Sequence, residues 1–493
     1  EIMPSLVGSE MCIRDRYKAL LNIFNLVVPL LVGPYVTGLL NEELYGIYNR
    51  VYTEYSIFLA LASFGIYNYG VREISRVRND PAATNKLFTS LFLIGIVSNG
   101  AAMLVYVAYT FWRSNSQIEV YVYLVMLIQL FANIFYVEFA NEAKENYRFI
   151  MVKTILVRLG YLISIFVFVR KPSDVVPYAV VISMTNFVNN ILSYIKIRRD
   201  VHFDFGGLTI RKHLFPLVVS LVIVNVDVFY FQLDKIMLSP LVSDIAVTEY
   251  YIPTNMVGMV SAVPHALIYV AIPRVSALLG EGKRDEYERV LNDTTEKYLA
   301  LVIPINFGFM VLAKEVMQLY TRDVYTYAWP VLVVAAISRI VLSYQAILNN
   351  LVMYVNSREK QQVAFLAVFG IVNLAMNFTL VALGCFTVIT SLATTTAAVA
   401  LFVITCHTYA IKKLGVNCPL FSKRACGYLL ASALFIPISL LIRLAGLNYW
   451  VNIAAIIIAC VALYAAYMIL TKDKLAYELL NATIFRGRNR QKE

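Results

Sequence analysis

Charged residues inside long apolar segments are the residues of this sequence best suited to do chemistry. Arg158 and Arg339 each lie near the middle of a run long enough to cross a hydrocarbon core, and Lys153 shares the run of Arg158. A charge at the centre of such a helix costs about 2.5 to 3.5 kcal/mol on insertion scales, so its presence indicates function. In a water-filled cavity these cations would bind an anionic ligand.

Polar side chains accompany these cations at helical spacing. Ser343 and Asn350 follow Arg339 at i+4 and i+11, on one helical face that is predicted to line a wet cavity. The predicted substrate-binding residues are Arg158, Arg339, Lys153, Asn25, Ser343 and Asn350.

Structural roles remain open for the same residues. Arg339 would then pair with an acidic neighbour, Lys153 would extend to the lipid headgroups, and Asn25 would hydrogen-bond between helices.

Two aspartates of one segment form a candidate ion-coupling site. Asp227 and Asp234 are seven residues apart, with Ser220 seven residues earlier, so the three share a stripe of one helix. Such carboxylates would bind H⁺ or Na⁺ and couple its gradient to transport. Alternatively, Asp227 pairs with an arginine, and Asp234 beside Lys235 is a solvated helix cap.

Apolar helices must position these groups. The chain of 493 residues is 60% hydrophobic and 15% charged, with a mean hydropathy of +0.68, which is typical of a membrane protein. Runs of sufficient length predict an all-α protein of about 14 transmembrane helices. The predicted spans are residues 19–38, 51–70, 87–112, 118–140, 149–169, 174–197, 214–233, 250–273, 297–320, 328–355, 361–383, 386–410, 426–445 and 450–470.

The distribution of basic residues predicts the orientation of these spans. With the N-terminus inside, the cytoplasmic segments hold 29 Lys and Arg residues and the outer loops hold 8. Both termini are therefore expected to be cytoplasmic.

The sequence also argues against several other functions. The basic residues behind the net charge of +11 lie in short clusters between apolar runs, so no nucleic-acid partner is expected. The sequence contains no CxxC pair, so no metal site is expected either. We find no P-loop, HExxH motif or nucleophile elbow, and the predicted outer loops are short. The chain is thus expected to be neither an enzyme nor dependent on a cofactor.

A weak internal repeat predicts the division into domains. Residues 40–78 resemble residues 242–284, each reading as a polar turn, a Tyr-rich helix entry, an apolar span and a basic exit. We predict six-helix bundles at 17–199 and 200–412, followed by two extra helices and a basic tail at 413–493. Residues 1–16 resemble translated adaptor sequence and are expected to lie outside the fold.

Three stretches carry a resemblance to a known family. They are Leu44-Tyr45-Gly46-Ile47-Tyr48 with Tyr69-Gly70-Val71-Arg72-Glu73-Ile74, Glu145-Asn146-Tyr147-Arg148-Phe149-Ile150, and Leu233-Asp234-Lys235-Ile236-Met237-Leu238. In these the chain resembles the oligosaccharide-unit flippases of the multidrug/oligosaccharidyl-lipid/polysaccharide exporter superfamily.

The resemblance implies two six-helix bundles and alternating access without ATP in the bacterial plasma membrane. It also implies a polyprenyl-pyrophosphate-linked glycan as cargo, contacts with membrane lipids, and polysaccharide polymerase or glycosyltransferase partners.

Other readings of the sequence stay open. An ion-coupled multidrug exporter and a peptidoglycan-precursor flippase would share the same plan. A glycosyl-transferring membrane enzyme would need a large outer loop, and a scaffold would need a soluble interaction domain.

Overall fold

The computed structural model describes residues 27–475, apart from the side chains of residues 222–231. Within that range the regular structure is helical. The first helices are α1 (Val27–Thr37), α2 (Glu42–Ser63), α3 (Ile66–Val77), α4 (Pro81–Arg113), α5 (Gln117–Asn133), α6 (Glu138–Ala143), α7 (Tyr147–Phe168), α8 (Val175–Asp200) and α9 (Ile210–Leu241). They are followed by α10 (Asp244–Gly280), α11 (Arg284–Val311), α12 (Ala313–Thr321), α13 (Trp329–Ile347), α14 (Glu359–Ala382), α15 (Val388–Tyr409), α16 (Lys423–Ala433), α17 (Phe435–Leu444) and α18 (Tyr449–Leu470). Short π-helical turns continue α13 over Leu348–Met353 and α15 over Ala410–Leu414.

Local sequence signals set several helix starts. The side chain of Asn41 accepts hydrogen bonds from the backbone N–H groups of Glu43 and Leu44 at 3.0 and 3.2 Å, and so caps α2. Asp80 caps α4 in the same way, and Pro81 occupies the first helical position, where its missing N–H costs nothing. These caps set the residues at which α2 and α4 begin.

The described chain contains 10 helical segments long and apolar enough to cross a membrane, or 11 if α11 and α12, bent by 77°, form one span. This confirms the predicted all-α, polytopic membrane fold. Three predicted spans are outside that set. The first begins among residues that are not described, the second overlaps α2, which contains Arg50 and Glu54, and the seventh includes residues 222–231.

The described residues form two compact units. Unit 1 contains the residues up to Thr248 together with Tyr320–Val324, and unit 2 contains Glu249–Leu319 and the residues from Tyr325 onward. Helix α10 therefore begins in unit 1 and continues in unit 2. The bundle boundaries expected at 199/200 and 412/413 stay a prediction.

A break divides the predicted second span into α2 and α3. Phe64 and Gly65 adopt left-handed backbone angles, with φ of 47° and 66°. A Cβ on Gly65 would lie 2.5 Å from the backbone nitrogen of Leu221 and 2.8 Å from the carbonyl oxygen of Leu217, so only glycine allows this approach to α9. Ser220 donates a hydrogen bond to the Gly65 carbonyl at 2.9 Å. Ser220 therefore stabilises the break.

Asparagine and serine side chains form hydrogen bonds near this break. Ser98 donates to the carbonyl of Ala62 at 2.7 Å, and the amide of Asn133 donates to the Asn99 side chain at 2.9 Å. Inside a membrane such bonds replace the water that would otherwise satisfy a broken helix.

A buried ionic network joins α2 to the first turn of α10 within unit 1. The Arg50 side chain is 3% exposed, with Nη2 3.0 Å from Glu119 and Nε 3.2 Å from Asp244. Asn49 donates to Thr248 at 2.8 Å. The start of α10 is thus fixed to α2 by charge and by hydrogen bonding.

In unit 2, α11 and α12 make polar contacts with the C-terminal helices α17 and α18. Arg443 of α17 pairs with Glu315 and donates to the Val311 carbonyl at 2.9 Å, and Tyr464 of α18 donates to the Ala300 carbonyl at 2.7 Å. These polar contacts between helices supply specificity that apolar packing in lipid lacks.

Candidate functional site

Arg158 lies on α7 with its charge uncompensated by a described carboxylate. Its Nε atom is buried and has no hydrogen-bond partner. Tyr161, one turn along the helix, is close enough to interact with the guanidinium electrostatically. An uncompensated guanidinium in a span is costly, and an anionic ligand would remove that cost.

A cavity of about 700 Å³ lies next to this position, between α7 and α8 of unit 1. Its lining includes Val157, Tyr161 and Ser164 of α7 and Pro177, Met184 and Thr185 of α8. Arg158 is not one of the lining residues, so the cavity and the guanidinium lie on different faces of α7. The cavity is largely apolar, which suits a hydrocarbon chain.

Lys153 is in a different environment from the one expected for a residue at the headgroups. Its side chain is 2% exposed, and Nζ lies 3.0 Å from both carboxylate oxygens of Glu138 on α6. It also donates to Ser193 Oγ of α8 at 2.6 Å. The expectation that Lys153 extends to the lipid headgroups is wrong because Glu138 and Ser193 satisfy its ammonium inside unit 1. Its substrate-binding role stays a prediction.

Arg339 lies in unit 2 among neutral polar groups. It interacts electrostatically with Tyr298 of α11 and His265 of α10, and no described carboxylate pairs with it. The structural ion pair considered from the sequence is therefore not formed by the described residues. The imidazole Nδ1 of His265 lies 3.2 Å from the Tyr298 hydroxyl.

Ser343 and Asn350 follow Arg339 toward the π-helical turn. Each donates to its own helix, Ser343 to the Arg339 carbonyl at 2.8 Å and Asn350 to the Ala346 carbonyl at 2.9 Å. Their donors are thus used locally, while the oxygens can still accept. Asn350 lies within the π turn at Leu348–Met353, a distortion often found at functional sites.

The predicted ion-coupling residues are only partly described. The Asp227 side chain lies outside the described residues, as does Asn25. Asp234 has no exposed surface, so the solvated cap considered for it is wrong. The reason is that α9 continues to Leu241, well beyond the predicted end of the span.

Sequence reasoning missed Glu138, His265 and Tyr298. The signal for His265 was a lone histidine in an apolar run, with Tyr269 four residues later on the same face. Glu138 gave no local signal, because its partner Lys153 is 15 residues away and on another helix.

Comparisons with known proteins agree on one family. Residues 17–279 match the model of a family described as "Polysaccharide biosynthesis protein". A curated protein of Shigella dysenteriae, described as "Putative O-antigen transporter", is 19% identical over 363 residues, which are 72% of this chain and 89% of that protein.

Two solved structures are similar at low identity, which shows the fold. Lipid II flippase MurJ in an inward closed conformation has a TM-score of 0.67 at 14% identity, covering 94% of this chain and 100% of MurJ. MATE in complex with MaL6 has a TM-score of 0.56 at 11% identity, covering 80% of this chain and 94% of MATE. Since the family model matches more than half of its residues, this chain belongs to the polysaccharide biosynthesis protein family.

Proposed function

We propose that this protein is a flippase that moves polyprenyl-pyrophosphate-linked oligosaccharide units from the inner to the outer leaflet of the bacterial plasma membrane. Membership of the polysaccharide biosynthesis protein family supports a lipid-linked glycan as cargo. So do the similar proteins, one described as "Putative O-antigen transporter" and one as a lipid II flippase. Both termini face the cytoplasm in this proposal, as the distribution of basic residues indicates.

One observation supports an anionic rather than a cationic cargo. Each unit has, on an apolar helix, an arginine that no described carboxylate neutralises: Arg158 in unit 1 and Arg339 in unit 2. A diphosphate needs such cations at membrane depth, and guanidinium groups bind phosphate oxygens with two parallel hydrogen bonds. A cationic drug would instead be repelled, which argues against the multidrug exporter reading.

The carboxylates of α9 have a separate role in the proposal. Asp227, with Asp234 on the same stripe, would bind H⁺ or Na⁺ during the transport cycle. Asp227→Asn should then remove the dependence of export on an ion gradient while leaving the protein folded.

A cell-based assay tests the assignment of the cargo. In a strain lacking its own O-antigen flippase, the wild-type gene should restore surface polysaccharide, whereas Arg158→Ala and Arg339→Ala should each reduce it at least about tenfold. Lys at either position should retain part of the activity, because the charge remains but the bidentate fork is lost. Arg358→Ala, at an exposed position, is the matched control and should act like wild type. Full activity of both Ala variants would contradict the proposal.

A further inference from the structure

The cavity between α7 and α8 of unit 1 is an elongated groove, here called the α7–α8 groove. Its lining extends from Leu156 to Phe168 on α7 and from Val176 to Leu192 on α8. Because a helix rises about 1.5 Å per residue, the groove is about 18 Å long on α7 and about 24 Å long on α8. A hydrocarbon core is about 30 Å thick, so the lipid tails of one leaflet cover about 15 Å. The groove is therefore longer than the tails of one leaflet.

The lining of the α7–α8 groove is almost entirely apolar. None of the described lining residues is charged, and the polar side chains among them are those of Tyr161, Ser164 and Thr185. The Thr185 hydroxyl donates to the carbonyl of Val181 at 2.7 Å, within its own helix. A glycan or a diphosphate would lose its hydrogen bonds to water in such a groove, whereas a hydrocarbon chain would lose none.

The α7–α8 groove is also too narrow for a partner helix. Its volume of about 700 Å³ over this length gives a mean cross-section of about 30 to 40 Å². A helix with its side chains is about 10 to 12 Å across, which corresponds to about 80 Å² or more. The small residue Gly160 helps to form the groove, because a Cβ added there would meet nothing within 4 Å. The dimensions thus fit a single, long hydrocarbon chain.

The groove and the proposed diphosphate-binding residue share a helix. Arg158 follows the lining residue Val157 directly and precedes the lining residue Gly160 by two positions. The guanidinium and the groove therefore lie on different faces of the same stretch of α7. One lipid-linked molecule can place its diphosphate at Arg158 and its chain in the groove, because these two sites are separated only by the width of α7.

We propose that the α7–α8 groove binds the polyprenyl chain of the cargo while Arg158 holds the diphosphate. The groove selects a chain longer than ordinary acyl chains, because it is longer than one leaflet is deep. This inference rests on the proposed function, since it assumes a polyprenyl-linked cargo. The chain then stays in apolar surroundings while the diphosphate moves between leaflets.

Photolabelling of the purified full-length protein in lipid nanodiscs tests this proposal. The probe is a polyprenyl phosphate of eleven isoprene units with a diazirine at the far end of its chain, and mass spectrometry locates the labelled peptides. The competitors are the same polyprenyl phosphate without the diazirine, farnesyl phosphate, which has only three isoprene units, and phosphatidylglycerol. The last is also anionic but supplies ordinary acyl chains.

Two variants fill the groove from opposite walls, and a third is their control. Gly160→Phe acts from α7 and Thr185→Phe acts from α8. Gly100→Phe is the matched control, since a Cβ at Gly100 also meets nothing within 4 Å and this position lies on α4 between the exposed residues Val97 and Leu104. The Tm of each purified variant is compared with that of wild type before labelling.

We expect the probe to label peptides of α7 and α8. Unlabelled polyprenyl phosphate should compete at least about tenfold better than farnesyl phosphate or phosphatidylglycerol. A tenfold difference corresponds to about 1.4 kcal/mol, which is less than the burial of two methylene groups provides. Gly160→Phe and Thr185→Phe should each reduce labelling by a similar factor, and Gly100→Phe should be labelled like wild type.

Two results would overturn the inference. Equal competition by phosphatidylglycerol would show that the groove holds ordinary membrane lipid only. Labelling that stays unchanged in both Gly160→Phe and Thr185→Phe would show that the chain binds elsewhere. Both results leave the proposed function intact, because that function fails separately if wild type in liposomes does not move a polyprenyl-linked glycan.

Discussion

Lys153 and Glu138 form a buried ion pair in which Nζ lies 3.0 Å from both carboxylate oxygens. Five residues further along α7, Arg158 has a buried Nε with no partner. Two cations of one helix therefore differ in environment: the first is compensated within the protein, and the second is the one that we propose binds a ligand.

Replacing Lys153 by methionine should destabilise the protein, because Glu138 would be left as a buried and unpaired charge. Breaking such a pair costs about 3 to 5 kcal/mol. Thermal unfolding of the purified protein in detergent would measure this as a lower Tm. The double variant Lys153→Met with Glu138→Met should recover most of the loss, and Arg158→Met should lose little. Equal Tm values for the single and double variants would show that the pair is not the cause.

Gly65→Ala should destabilise the junction of α2 and α3. The added Cβ would clash with the backbone of α9, and the left-handed backbone angle adds about 1 kcal/mol. Gly384 is a matched control, since its φ is +69° but nothing lies within 4 Å of its Cβ position. Gly384→Ala should therefore show the cost of the backbone angle alone, and Gly65→Ala about 1 to 3 kcal/mol more in chemical denaturation. A similar loss of unfolding free energy in both variants would show that the close contact with α9 is not the cause.

The native cysteines test the orientation in the membrane. Cys385, between α14 and α15, and Cys426, in α16, are both exposed. The predicted topology places Cys385 outside and Cys426 inside, so an impermeant maleimide should label Cys385 in intact cells and Cys426 only after permeabilisation. Single-cysteine variants keep the two signals apart.

Cys418 provides the negative control for that labelling. Burial raises the pKa of its thiol to about 12, so the reactive thiolate is nearly absent at neutral pH. Labelling of Cys426 in intact cells would show that the number of spans or their direction is wrong.

Asp293, in the first turns of α11, should make a contribution to stability that depends on pH. Partial burial opposes its ionisation, but hydrogen bonding to Lys297 at 2.8 Å and the charge of Lys474 at 3.5 Å outweigh that effect and lower the pKa of the carboxyl. Because the pKa is lower in the folded state, the ionised carboxylate stabilises the fold at pH values above the unfolded-state pKa of about 3.9. This stabilisation is lost as the pH falls through the folded-state pKa.

Asp293→Asn should therefore lower the Tm slightly at pH 7 and by less at pH 3. The side chain is 35% exposed, so solvent screening limits the effect to less than about 1 kcal/mol. An identical loss at both pH values would mean that the carboxylate charge is not responsible.

The sequence was sufficient for the all-α membrane fold and for the intramembrane arginines, because apolar runs and isolated charges are local signals. It was not sufficient for the break at Phe64 and Gly65, since the approach of α9 that requires glycine there is set by tertiary packing. The partner of Lys153 was missed for the same reason. Glu138 reaches Lys153 from another helix, and spacing along one helix cannot show this.

Transport by the purified protein in liposomes tests the central claim most directly. The substrate would be a fluorescent polyprenyl-pyrophosphate-linked oligosaccharide, compared with the same glycan on an uncharged lipid, and its arrival in the opposite leaflet would be read from quenching by an impermeant reagent. We expect wild type to move the pyrophosphate-linked substrate at least about tenfold faster than the uncharged one, with this preference lost in Arg158→Ala and Arg339→Ala. Equal transport of both substrates by wild type, or an unchanged preference in the two variants, would contradict the account.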